Sequence, residues 1–223
     1  MDIFDFLPGD RSDYPEGLHH RAIVVKELQM IPIEFIIRAY LTGSLWKKFY
    51  AKGLPNPYGI KISDGLSNMS EFASPIFTPT DKSDTDDPVN SLEIEQKYPE
   101  ACYIARETFR RIRNRLRQRR IEVADTKLEL GLDSQGQVCV GDEVVTPDSS
   151  RFCDLQEIKV GTESPWLDKQ IARDEAERIW AGGVKYPLEF DEQIIQKLSE
   201  TYQGIFSKIT MMSLEDFQRT ELD

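Results

Sequence analysis

The spacing of apolar residues changes period several times along the chain, and each change marks an element. Residues 21–29 (RAIVVKELQ) and 33–40 (IEFIIRAY) are rich in β-branched and aromatic side chains and are separated by Met30-Ile31-Pro32, which predicts two strands. Leu41-Thr42-Gly43-Ser44 then turns the chain into a short amphipathic helix over 45–52. From 53 to 90 no period is sustained and five prolines intervene. That stretch reads as a long loop, a length that in compact domains marks function or disorder. Over 95–120, Ala101, Ile104, Ala105, Phe109, Ile112 and Leu116 recur at three- and four-residue intervals, predicting a helix with one buried stripe. The period drops to two over 121–132 (IEVADTKLELGL), Asp133-Ser134-Gln135-Gly136 signals a turn, and 137–145 (QVCVGDEVV) completes a β-hairpin. Two more helices follow over 166–181 and 191–208, the second expected to bury Ile194, Ile195, Leu198, Tyr202, Ile205 and Phe206. Residues 1–20 read as an irregular lead-in, 21–210 as one domain and 211–223 as an acidic tail. The fold class expected is α+β, an antiparallel sheet whose hairpin carries the functional face and is packed by several helices.

At 223 residues and 39% hydrophobic composition, the chain is long enough for a sizeable core. Its 28 basic and 39 acidic residues give a net charge of −11, which opposes association with nucleic acid or an anionic membrane, so an anionic ligand needs a local basic pocket. The arginines at 106, 110, 111, 113, 115, 117, 119 and 120 are spread around their helix and read as a solvated face. Three cysteines without C-x-x-C spacing suggest neither a disulfide framework nor a zinc site, and His19-His20 have no ligand partner nearby. The acidic N-terminus and the lack of a long apolar run predict a cytoplasmic protein with neither a signal peptide nor a membrane span.

Candidate chemistry centres on the hairpin, where Asp125, Lys127 and Glu129 alternate with Leu128, Leu130 and Leu132 and so share one face. If the turn closes between Asp133 and Gly136, Lys127 faces Asp142, and Glu129 lies diagonal to Asp142 on the same face. Two carboxylates beside a lysine suit Mg²⁺ and a phosphate, while the same pattern also suits a solvated strand with a cross-strand ion pair. A three-residue loop would shift this register. Thr146-Pro147-Asp148-Ser149-Ser150-Arg151 brings hydroxyls and a guanidinium suited to phosphate beside that face, or forms an ordinary turn. Gly43-Ser44 after Arg38 offers backbone N–H groups, a hydroxyl and a charge to an anion. The loop around Lys82, with four aspartates, reads by composition as solvated.

Together these segments resemble the SAICAR synthetase (phosphoribosylaminoimidazole-succinocarboxamide synthase) family. IPIEFIIRAYLTGSLWKKF (31–49) is similar to its R-x-Y-x-x-G-S region and FTPTDK (77–82) to its F-T-P-S-T-K segment. ADTKLELG and GDEVVTPDSSRF resemble its D-T-K-x-E-x-G and D-E-x-x-T-P-D-S-S-R blocks, and DKQIARD (168–174) a block near its C-terminus. Asp86-Asp87 stands where the family has His-Asp, and Cys153 where it has Trp.

The resemblance implies an ATP-dependent ligation of L-aspartate to a carboxyaminoimidazole ribonucleotide, in de novo purine biosynthesis, through an acyl phosphate. It implies that Arg38, Ser44 and Arg151, with Asp148 and Ser149 nearby, hold the ribonucleotide. Lys127, Glu129 and Asp142 would hold ATP, with Glu129 and Asp142 on Mg²⁺. Asp125 and Lys127 would sit at the reacting carboxylate, with Lys82 and Asp87 closing over the substrates. It further implies a family-like fold without the usual N-terminal β-rich domain, whose G-K-x-K element has no counterpart here, and hence a homo-oligomer or a partner chain. The alternative is a non-catalytic protein that binds purine intermediates.

Overall fold

The computed structural model describes residues 3–15, 17–18, 22–183 and 189–222. Its centre is a pair of long antiparallel strands, β1 (Gln29–Leu41) and β4 (Ile121–Leu132). One side of β1 is taken by β2 (Ser70–Phe77) and β3 (Thr80–Asp81), and the far side of β4 by β5 (Val138–Gly141) and β6 (Ser150–Asp154). Every pairing is antiparallel. Helices α1 (Ser91–Lys97) and α2 (Pro99–Arg117) connect β3 to β4, and α3 (Gln170–Ala181), α4 (Glu192–Thr210) and α5 (Leu214–Phe217) follow the sheet.

Period-two alternation divides the two central strands cleanly. Ile33, Phe35, Ile37 and Ala39 of β1 and Ala124, Leu128 and Leu130 of β4 join Ala101, Ala105, Phe109 and Leu116 of α2 in one buried core. The alternate residues Glu34, Ile36 and Arg38 of β1 pair with Glu129, Lys127 and Asp125 of β4 on the opposite face. That polar face carries the candidate site.

Several expected elements take a different form. Residues 22–28 form no strand and leave Ile23, Val24 and Val25 exposed, because β-branched composition supplies propensity but no partner, and both sides of β1 are already filled; residue 21 lies outside the described residues. Strand β1 instead runs back through Pro32, which falls where the pairing with β4 is irregular between Met30 and Glu34, a place that tolerates a missing N–H. The expected helix over 45–52 is a single wide turn, Leu45–Phe49, followed by a 3-10 turn, Tyr50–Lys52. The expected loop over 53–90 contains β2 and β3, whose outer-edge position accommodates Pro75. The long arginine helix is broken at Tyr98, where Pro99 opens α2, and α1 begins earlier, capped by the Asn90 side chain accepting from the Leu92 and Glu93 N–H groups. On α4 only Ile205 is fully buried, and Ile195 is exposed.

Two arginines of α2, Arg113 and Arg117, serve its packing. Glu122, wholly buried on β4, accepts from Arg113 Nε at 2.6 Å and Arg117 Nε at 2.5 Å, and Glu71 on β2 pairs with both guanidinium groups. The Tyr40 hydroxyl donates to Glu122 at 3.2 Å, and burial with the charges of Glu122 and Glu71 pushes its pKa up to about 12. Arg106 pairs with Glu95, and Arg110 and Arg111 with Glu107. No helix among the described residues is long and apolar enough to cross a membrane.

Candidate active site

The polar face of β1 and β4 floors a cleft of about 440 Å³ walled by the loops that leave the sheet. Two rungs of charge cross the floor, and a third lies beyond its lining. At the first, Asp125 Oδ2 accepts from Arg38 Nη1 at 2.5 Å and from Arg151 Nη1 on β6 at 2.6 Å, so two guanidiniums share one carboxylate oxygen. Arg38 is held further by Thr78 Oγ1 at 2.8 Å and reaches Ser44 Oγ at 3.4 Å. At the second rung, Lys127 Nζ donates to Glu34 Oε1 at 2.6 Å, and Thr80 Oγ1 donates to Glu34 Oε2 at 2.6 Å. At the third, Lys82 pairs with Glu129.

The turn after β1 is shaped around Arg151. Gly43 has φ of +59°, and a Cβ there would lie 2.7 Å from Arg151 Nη1, so both the conformation and the guanidinium require glycine. The Arg151 guanidinium also lies over the Trp166 ring, 6.0 Å from its centroid. With Arg38, Ser44 and Arg151 converging around Asp125, this corner has two guanidiniums to one carboxylate and suits a dianion.

Local fields tune the surrounding groups. Burial raises the Asp168 carboxyl to about 6, against the Gln170 N–H and the charges of Arg151 and Arg173. Burial and the charge of Glu34 raise Asp86. Burial pulls Lys127 down, but the bond to Glu34 and the charges of Glu34, Glu129 and Asp86 more than offset this, holding its pKa above the ordinary lysine value.

The cleft brings together Arg38, Ser44, Asp87, Asp125, Lys127, Asp148, Ser149 and Arg151 of the expected residues. Lys82, Glu129 and Asp142 are not in its lining. The expected register of the hairpin is corrected: its loop has three residues, 134–136, with Gly136 in the left-handed region at φ 75°, so Glu129 pairs with Gly141 rather than with Val140. Lys127 therefore does not face Asp142, and Glu129 and Asp142 are not diagonal partners on one face. Asp142 itself has φ of 57° and ends the arm expected to run to 145. Among the described residues no group of three or more His, Cys, Asp or Glu is placed to hold a metal ion.

Six further charged residues line the cleft: Glu34, Lys48, Asp86, Asp168, Lys169 and Arg173. Glu34 was legible, since it lies four residues before Arg38 on the same strand and therefore on the same face. Asp168, Lys169 and Arg173 belong to the DKQIARD block, already noted but given no role.

A cleft that gathers six cations and six carboxylates, with two guanidiniums converging at one corner, has the make-up of an enzyme site that takes an anion at that corner. A family model described as SAICAR synthetase matches residues 3–186. The phosphoribosylaminoimidazole-succinocarboxamide synthase of Saccharomyces cerevisiae is 34% identical over 217 residues, covering 91% of this chain and 70% of the relative. Its counterpart in Ralstonia nicotianae is 36% identical over 216 residues, with 91% and 70% covered. The solved SAICAR synthase of Saccharomyces cerevisiae complexed with SAICAR matches at a TM-score of 0.76 and 29% identity, over 95% of this chain and 71% of that one. The chain belongs to the SAICAR synthetase family.

Proposed function

We propose that this chain is an ATP-dependent amide ligase that joins L-aspartate to a carboxyaminoimidazole ribonucleotide in purine biosynthesis, and that it works in the cytoplasm. The observation that carries the reading is the corner where Arg38 and Arg151 meet on Asp125 beside Gly43-Ser44, because it unites two of the family's sequence blocks in one anion site. Here the ribonucleotide phosphate binds to Arg38, Ser44 and Arg151. Its carboxylate lies toward Asp125 and Lys127, and Asp87, Asp148 and Ser149 border it. ATP transfers its γ-phosphoryl group to that carboxylate, and the amine of aspartate then displaces phosphate. Such chemistry depends chiefly on positioning and charge neutralisation, which paired lysines and arginines on a sheet supply without reorganisation.

Mg²⁺ would neutralise charge on the phosphates of ATP. Glu129 and Asp142 supply oxygen donors of the kind Mg²⁺ takes, and it needs only one or two carboxylates besides phosphate and water, but the observed register does not set the two side by side. Lys82, bonded to Glu129, stands ready to exchange that carboxylate for a phosphate. A non-catalytic binder has no comparable use for Lys127 beside Asp125.

A coupled assay of the full chain with ATP, Mg²⁺, L-aspartate and the carboxylated ribonucleotide tests the reading. ADP release that requires all three substrates is expected. Absence of aspartate-dependent turnover would overturn it.

A further inference from the structure

The second rung of the cleft floor holds a carboxylate to which no part of the ligase reading assigns a task. Glu34 is 5% exposed, and burying a charged carboxylate is costly unless it is paired and hydrogen-bonded. Both of its oxygens are committed, one to Lys127 and the other to Thr80, each at 2.6 Å. Thr80 is itself buried and is the residue of β3 that pairs with Glu34, so the carboxylate is fixed by the sheet rather than by solvent. Lys127, by contrast, has a flexible side chain that is 39% accessible. Left alone it would sample many rotamers over the cleft. Other charged groups around it are Glu129 and Asp125 on β4 and Asp86 on the loop after β3, and Glu129 is already engaged by Lys82 and Asp125 by two arginines. Glu34 is thus the carboxylate that directs the lysine.

We propose that Glu34 is the positioning residue of the site: clamped by Thr80, it holds the Lys127 ammonium where the phosphoryl group is transferred. This rests on the ligase reading. Glu34 touches no substrate; its effect passes through Lys127, and it costs nothing at the moment of reaction because the pair is already formed.

A double-mutant cycle tests the proposal. Glu34→Gln keeps the side chain's size and an acceptor for Thr80 but loses the charge, and it is expected to lower kcat at least tenfold with the KM for L-aspartate changed less than twofold. In a Lys127→Met background the same substitution is expected to change kcat less than twofold, because its target is gone. Equal losses in both backgrounds, or a rise in KM without a fall in kcat, would overturn the proposal. Glu34→Asp, with the carboxylate drawn back by one methylene, gives an intermediate loss and serves if Glu34→Gln does not fold. Calorimetric titration with ATP separates this from failure of the ligase reading. An inactive wild-type chain sinks that reading, and the proposal then stands only if Glu34→Gln changes ATP affinity at least threefold with Lys127 present and not in Lys127→Met.

Discussion

At the scale of single residues, the energetics of the cleft turn on which charges are already satisfied. Arg151 is held by Asp125 and packed against Gly43 and Trp166, so the phosphate contact proposed for it would form without first losing side-chain freedom. Arg151→Ala should remove a charge-assisted contact worth roughly 1.5–3 kcal/mol, about 10- to 150-fold in ribonucleotide affinity by calorimetry. Asp168 carries the opposite burden. It is 1% exposed, and its pKa is raised from an ordinary 3.8 to about 6. Between those values the folded chain binds a proton that the unfolded chain has released, so this group favours unfolding above pH 6 and ceases to as pH falls toward 4. The difference is worth at most roughly 3 kcal/mol. Asp168→Asn should therefore raise the thermal midpoint at pH 7.5 and leave it nearly unchanged at pH 4, as scanning fluorimetry at the two pH values would report. Most of the cleft was legible in the sequence at this scale because period-two spacing assigns a face without knowledge of the partner strand. Asp168 was not, since nothing local to Asp168-Lys169 says that the chain returns there to Arg151.

At the scale of elements, the link between β4 and α2 is ionic as well as apolar. Glu122 is fully buried between Arg113 and Arg117, and Glu71 extends the network to β2. Glu122→Gln leaves two arginines facing an uncharged amide and should destabilise the fold by roughly 3–5 kcal/mol, read as a lower midpoint in urea with an unchanged slope. Composition hid this role: eight arginines in one segment suggest solvent until the partner carboxylates are seen on strands far away in sequence. The long central strands and the larger helices were readable because their periods are sustained. Strands β2 and β3 were not, because a short edge strand carrying a proline has neither the length nor the composition to separate it from a loop. The hairpin arms were readable too, but not their register, which was decided by Gly136 taking a left-handed conformation and adding one residue to the loop.

At the scale of the whole molecule, apolar surface remains uncovered. Ile23, Val24 and Val25 are 83%, 52% and 72% exposed in succession. A second apolar surface lies between Val145 and Pro147 and the α4 residues Leu198, Tyr202 and Phe206, flanked by the exposed Ile195. Surfaces of this kind mark contacts more often than bare exterior, and a net charge of −11 keeps a chain that carries them soluble without hiding them. Self-association is therefore expected, with a symmetric dimer as its simplest closed form. Light scattering at micromolar concentration should report a mass above 25.7 kDa, and a strictly monomeric reading would refute it.

The flanking strands stop at the same level on both sides of the sheet. On one side β3 pairs with residues 33 and 34 of β1 and β2 with 37 onward, leaving Ile36 to bond to the Thr78 N–H. On the other, β6 ends its pairing with β4 at Thr126 and β5 resumes it at Glu129, leaving the Lys127 N–H to Ser149. Ile36 and Lys127 are themselves cross-strand partners, so the two gaps face each other through the middle of the cleft. The segment bearing Asp148 and Ser149 leaves through one gap; Thr78 and Pro79 span the other, and the segment bearing Asp86 and Asp87 follows β3 and returns to pair Pro88 with Thr80. Their sequences can diverge without disturbing the ladder of β1 and β4, so under the proposed function the scaffold leaves substrate preference free to drift under selection while the charges assigned to the transfer stay fixed.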